Sequence, residues 1–111
     1  MSLTSVNPAT GELLATIEPH TTEQVDARLS KAHAAWRRWR ETTFAERGVI
    51  MTRAAELLEN ERGELGRLMT REMGKPVRAA MEEAAKCASA CRYYAKNAEQ
   101  HLARRGVSTE D

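Results

Sequence analysis

The chain has 111 residues, with 17 Lys plus Arg against 16 Asp plus Glu and a net charge of +1. That length allows one domain at most and is small for an enzyme that must house both a cofactor and a substrate, while the balanced charge excludes a global field steering it to nucleic acid or membrane. Hydrophobic residues reach 41% but aromatic ones only 5%, so alanine supplies much of the apolar fraction and a thin core is expected.

The first element predicted is a hairpin. In Val6-Asn7-Pro8-Ala9-Thr10-Gly11-Glu12, Asn can bond its own backbone, Pro fixes φ, and Gly tolerates a left-handed backbone where the chain doubles back. Leu13-Leu14-Ala15-Thr16-Ile17 reads as a strand with Ser5-Val6 as partner. Two strands alone are marginal in water, so the hairpin must lean on another element.

Four helical patterns follow. Thr21 with Gln24 forms a capping box, and Val25, Leu29, Ala32, Trp36 and Trp39 share one face that is expected to point inward, in a helix ending near Arg40. A second box, Thr43 with Glu46, opens a helix to about Asn60, striped by Ile50, Ala54, Leu57 and Leu58, with Phe44 and Val49 nearby. Asn60 is expected to cap the third helix, with Glu61 and Glu64 in its first turn, Arg67 and Arg71 in its last, and Leu65, Leu68, Met69 and Met73 inward. Gly63 and Gly66 weaken it. Gly74 then suits the left-handed position past a helix end, Lys75 the negative end of the dipole, and Pro76 the first turn of a new helix.

The fourth pattern, Val77, Met81, Ala84, Ala88, Cys91, Ala95, Ala98 and Leu102, alternates steps of four and three over a helix of roughly 40 Å. Ala80, Ala84, Cys87, Cys91, Tyr94 and Ala98 form a second stripe on it. That apolar surface is wider than three short helices can cover, so part of it is expected to be exposed, a feature that normally marks a contact surface. The segment from 103 to 111 shows no periodicity and reads as a tail or connection.

Candidate chemistry is sparse. Cys87 and Cys91 lie four apart with no further ligands to complete a tetrahedral zinc site. Small neighbours make packing the better role for them than nucleophilic attack. His20, His33 and His101 are scattered and read as surface or cap residues. Trp36-Arg37-Arg38-Trp39-Arg40 offers aromatic and basic residues, but helical spacing turns the arginines to solvent. Glu72, Glu82 and Glu83 suit surface pairing, and neither Gly63-x-x-Gly66 nor Gly74-Lys75 has the context of a nucleotide loop. The residues themselves thus present no catalytic, cofactor-binding or metal site.

Asn7-Pro8-Ala9-Thr10-Gly11-Glu12, Ala34-Ala35-Trp36, Arg47 and Glu72-Met73-Gly74-Lys75-Pro76, in this order and spacing, resemble the amino-terminal region of the aldehyde dehydrogenase superfamily. Arg71 to Pro76, Glu83-Ala84-Ala85-Lys86-Cys87-Ala88 and Cys91-Arg92-Tyr93-Tyr94-Ala95 are particularly similar to its succinate-semialdehyde dehydrogenase branch. The resemblance implies NAD(P)-dependent oxidation of an aldehyde to an acid by a cysteine thiolate, a Glu-activated water and an oxyanion-binding Asn. In the family those residues and the glycine-rich cofactor turn lie beyond the matched region. Neither Cys87 nor Cys91 stands in its Gly-Gln-x-Cys setting.

The expectation is therefore a mainly α segment with an amino-terminal hairpin: 1–20 the hairpin, 21–102 four helices flanking a cofactor-binding domain, 103–111 a tail. It is read as an amino-terminal fragment, catalytically inactive and binding no cofactor alone, with NAD or NADP belonging to the complete protein. Its expected partners are the remainder of the dehydrogenase, or a second copy through the last helix, with no nucleic acid and no membrane. The rival reading is a free-standing helical interaction module. No apolar run approaches the ~20 residues of a bilayer span, no secretory pattern opens the chain, and two cysteines in a helix fit a reducing compartment, so the cytoplasm is expected.

Overall fold

The computed structural model describes residues 2–108: β1 (Leu3–Val6), β2 (Leu13–Ile17), α1 (Thr22–Trp39), α2 (Phe44–Asn60), α3 (Arg62–Met73) and α4 (Val77–Leu102). The strands pair antiparallel, Leu3 opposite Ile17, with a bulge between Ser5 and Val6. Asn7 closes the turn. Its N–H donates to Glu12 O and its carbonyl accepts from the Gly11 N–H, both at 2.8 Å, while its Oδ1 accepts from the Ala9 N–H at 3.0 Å. Gly11 holds φ 75°, a backbone that side chains resist.

Both capping boxes form. Thr21 Oγ1 accepts from the Gln24 N–H at 3.3 Å and Gln24 Oε1 from the Thr21 N–H at 3.0 Å. The Thr43 and Glu46 pair repeats this at 3.1 and 2.7 Å. Gly74 ends α3 at φ 72° and donates its N–H to Thr70 O at 2.9 Å, the left-handed stop its position predicts.

Three local expectations are corrected. Asn60 does not cap α3: it is the last residue of α2, and Glu61, at φ −97° and ψ 6°, is the shared cap with no side-chain bond. An Asn cap needs an extended residue, and here the ladder runs on through Glu61, whose N–H reaches Leu57 O and whose carbonyl accepts from Leu65. Pro76 stands just outside α4 as its N-cap residue, its carbonyl accepting from Ala80 at 3.0 Å. Lys75 pairs with Glu83 rather than with the end of α3.

The core is thin, as the composition implies. It consists of Ala55 on α2, Gly66 on α3, and Ala80, Ala84 and Ala88 on α4, where α4 packs along α2 and α3. With so little side-chain volume, the backbones come close. A Cβ at Gly48 would lie 3.1 Å from Ala95 O, and one at Gly66 would lie 2.7 Å from Met81 Cγ and 3.3 Å from Met81 N. Gly66 is therefore what lets α3 approach α4, a packing role that outweighs its low helix propensity. Of the second stripe on α4, Ala80 and Ala84 are buried within the chain's own helices.

The hairpin and the Gly74 corner meet. A Cβ on Gly74 would come within 3.1 Å of Pro8 Cγ, and Ser5 Oγ donates to Glu72 Oε1 at 3.4 Å. The two punctuated segments of the sequence thus form one junction, and α3 supplies the support the hairpin needs.

Candidate functional site

The residues with chemical potential are dispersed. Cys87 is exposed and Cys91 half-buried, so Cys87 lacks the packing role expected of it. Nothing from another element covers its side of α4. His33 lies 5.5 Å from the Trp36 ring, and His101 Nε2 is 3.0 Å from Tyr93 Oη. Among the described residues no group of three or more His, Cys, Asp or Glu could hold a metal ion. The glycines do not form a phosphate cradle: Gly66 faces Met81, and Gly74 abuts Pro8. These residues do not fit a dinucleotide. The carboxylates serve pairing, with Arg78 bonded to Glu82 at 3.2 Å and Lys75 to Glu83.

One ion pair links distant parts of the sequence. Arg92 on α4 grips Glu59 at the end of α2 through both guanidinium Nη atoms, at 2.5 and 2.7 Å. The hydrogen bonds from Arg92 hold the Glu59 carboxyl below the ordinary carboxylate range, and the Thr43 backbone N–H does the same for Glu46. A carboxyl depressed in the folded state stabilises above its unfolded value and loses that contribution as pH falls through the folded value. Stability is expected to decline in acid below the ordinary carboxylate range, with a smaller decline in Glu59→Gln. Urea midpoints across an acid series measure this; an unchanged slope in the variant would discount the pair.

The main feature is uncovered apolar surface. Every one of the 18 residues of α1 is exposed, and among the described residues the helix shares no packed face with another element. The inward orientation expected for its stripe is not realised: Leu29 is 63% exposed, Trp36 49% and Trp39 44%. Ile50, Leu68 and Met73 are exposed too, because nothing stands over those faces. Beside the end of α1, a 260 Å³ recess is lined by Trp39, Phe44, Ile50, Tyr94, Ala98 and Leu102. The radius of gyration is 19.8 Å, where a compact domain of this length has about 13 Å. The accessible surface is 9468 Å², about 3,300 Å² beyond that of a compact monomer of this mass. An excess of that size on one chain exceeds a single partner's share of a typical large obligate interface. No helix among the described residues is long and apolar enough to cross a membrane.

The profile of the aldehyde dehydrogenase family matches residues 1–111. The chain belongs to this family. It is 45% identical over 103 residues to succinate-semialdehyde dehydrogenase [NADP(+)] 1 of Mycobacterium tuberculosis, an alignment covering 93% of this chain and 22% of that protein. Its structure superposes on succinic semialdehyde dehydrogenase from Streptococcus pyogenes, solved with NADP+, at a TM-score of 0.89 and 29% identity over 96% of this chain and 24% of that one. It also superposes on an NAD-dependent benzaldehyde dehydrogenase from Corynebacterium glutamicum at 0.88 and 27%, over all of this chain and 24% of that one. The chain thus spans about a quarter of the dehydrogenases it matches, and its mainly helical fold with an opening hairpin is that of their corresponding segment.

Three further residues serve this geometry. Arg47, half-buried, bonds to the backbone at the end of α1. Gly48 and Gly66 mark the close helix crossings, and a glycine inside a helical pattern is the signal that points to them.

Proposed function

We propose that this chain is the non-catalytic opening segment of a cytoplasmic aldehyde dehydrogenase that oxidises succinate semialdehyde with NADP, and that its uncovered faces dock the rest of that polypeptide. The observation carrying this reading is the excess exposed surface, which includes an α1 stripe that packs on no other element among the described residues. The relatives' names support the substrate and cofactor. The occurrence of the same segment in an NAD-dependent relative supports placing cofactor choice outside it. In this reading the segment contributes scaffold: α4 as a spine, the hairpin and Gly74 junction as a fixed corner, and α1 as a docking strip.

Purified chain is expected to reduce no NADP with succinate semialdehyde and to show no NADP affinity in calorimetry, since it carries neither a dinucleotide turn nor an activated nucleophile. Co-expression with a matching dehydrogenase lacking this segment is expected to give a complex that does reduce it. Turnover by the chain alone, lost in Cys87→Ser or Cys91→Ser, would overturn the reading.

A further inference from the structure

The direction of α1 is fixed although, among the described residues, no other element packs along its length. The last turn of α1 tightens: Glu41 N–H reaches Arg38 O at 3.2 Å and Thr42 N–H reaches Trp39 O at 3.1 Å. Thr42 Oγ1 also donates to Trp39 O, at 2.6 Å, and the carbonyls at and just past this end accept further from a side chain of the next helix. Arg47 on α2 donates Nη2 to Trp39 O and Thr42 O, both at 3.1 Å, and to Arg40 O at 3.4 Å, and donates Nε to Thr42 Oγ1 at 2.8 Å. Its guanidinium also lies 5.6 Å from the Trp39 ring centre and 5.7 Å from that of Phe44.

We infer that Arg47 is a positioning residue that braces the α1–α2 corner and so presets the angle at which the α1 apolar strip is presented. The chemistry favours arginine specifically. A cation at a helix C-terminus satisfies carbonyls that have no partner inside the helix and opposes the negative end of its dipole. Only a planar fork can hold several acceptors in fixed directions while stacking between rings. A lysine would keep the charge and lose the geometry. The brace is independent of what covers α1, because every group in it belongs to this chain.

Trp36 and Trp39 are the chain's two tryptophans and both sit at this corner, so time-resolved tryptophan anisotropy reads it directly. The test uses the full chain in a Leu29→Glu background, to limit association through α1. Arg47→Ala and Arg47→Lys are both expected to add a fast depolarising component, with far-ultraviolet helix content nearly unchanged. Hydrogen exchange at Glu41 and Thr42 is expected to rise roughly tenfold or more, the loss expected for hydrogen bonds from a charged donor. Thr42→Val removes the Nε acceptor together with the Thr42 Oγ1 hydrogen bond to Trp39 O at 2.6 Å, leaves the Nη2 contacts in place, and should give an intermediate response, which keeps the test informative if Arg47→Ala unfolds. Anisotropy and exchange unchanged in Arg47→Lys, or in Thr42→Val, would show that the corner holds without the fork and would overturn the inference.

Discussion

Val25→Glu with Leu29→Lys is expected to convert an associating chain into a monomer without loss of helix. Wild-type chain should show a mass that grows with concentration in light scattering and should bind a hydrophobic dye, because contiguous apolar faces of this extent seek cover. Both substituted positions are exposed, Val25 at 42% and Leu29 at 63%, so their cost to the monomer is within about 0.5 kcal/mol. The new Glu precedes the new Lys by one helical turn, an arrangement that slightly favours the helix. In an apolar contact the same charges lose their hydration and cost several kcal/mol, enough to weaken association about a hundredfold or more. The same charges on Ala84 and Ala88 would do something else. Those residues are buried, at 3% and 0% exposed, and their replacement by Glu is expected to unfold the α2–α4 packing. A variant that stays associated and dye-binding would place the sticky surface elsewhere than α1.

Gly66→Leu is expected to cost about 3 kcal/mol or more, while Gly63→Ala in the same helix is expected to gain about 0.5–1 kcal/mol. The opposite signs come from what each new side chain meets. At Gly66 the first added carbon already falls 2.7 Å from Met81 Cγ and 3.3 Å from Met81 N, whereas at Gly63 the nearest atom is an Arg67 nitrogen at 3.9 Å. Leucine at Gly66 must push α3 off α4, and the surrounding core is made only of alanines and glycine. Urea melts of the two variants decide the matter. Equal and small shifts in both would mean that the helices can separate without cost.

Sequence reading recovers what is locally encoded. Thr21, Thr43 and Gly74 each dictate a cap or a stop through their own backbone chemistry, and the structure places each as expected. Asn60 fails because a single shared residue joins α2 and α3, leaving no extended position for it. Periodicity identifies the apolar stripe of α1 but not what it faces: a pattern says which residues want burial, and burial needs a second surface. Here Trp36 and Trp39 remain exposed because no such surface faces them among the described residues. Arg47 and Arg92 illustrate the other limit. In the sequence they stand only among the residues that carry the family resemblance, and only the fold brings one to the end of α1 and the other to Glu59.

The most direct test is amide hydrogen exchange along α1, in the chain alone at dilution and in a co-purified complex with a matching dehydrogenase lacking this segment. An 18-residue helix without tertiary packing is marginal in water, so its amides from Val25 to Ala35 should exchange far faster than those in the middle of α4. Docking of the remaining polypeptide should slow them to the α4 level while hydrophobic dye is released. Amides of α1 as protected as those of α4 in the dilute chain alone, or unprotected in a formed complex, would contradict the assignment of α1 as the docking strip.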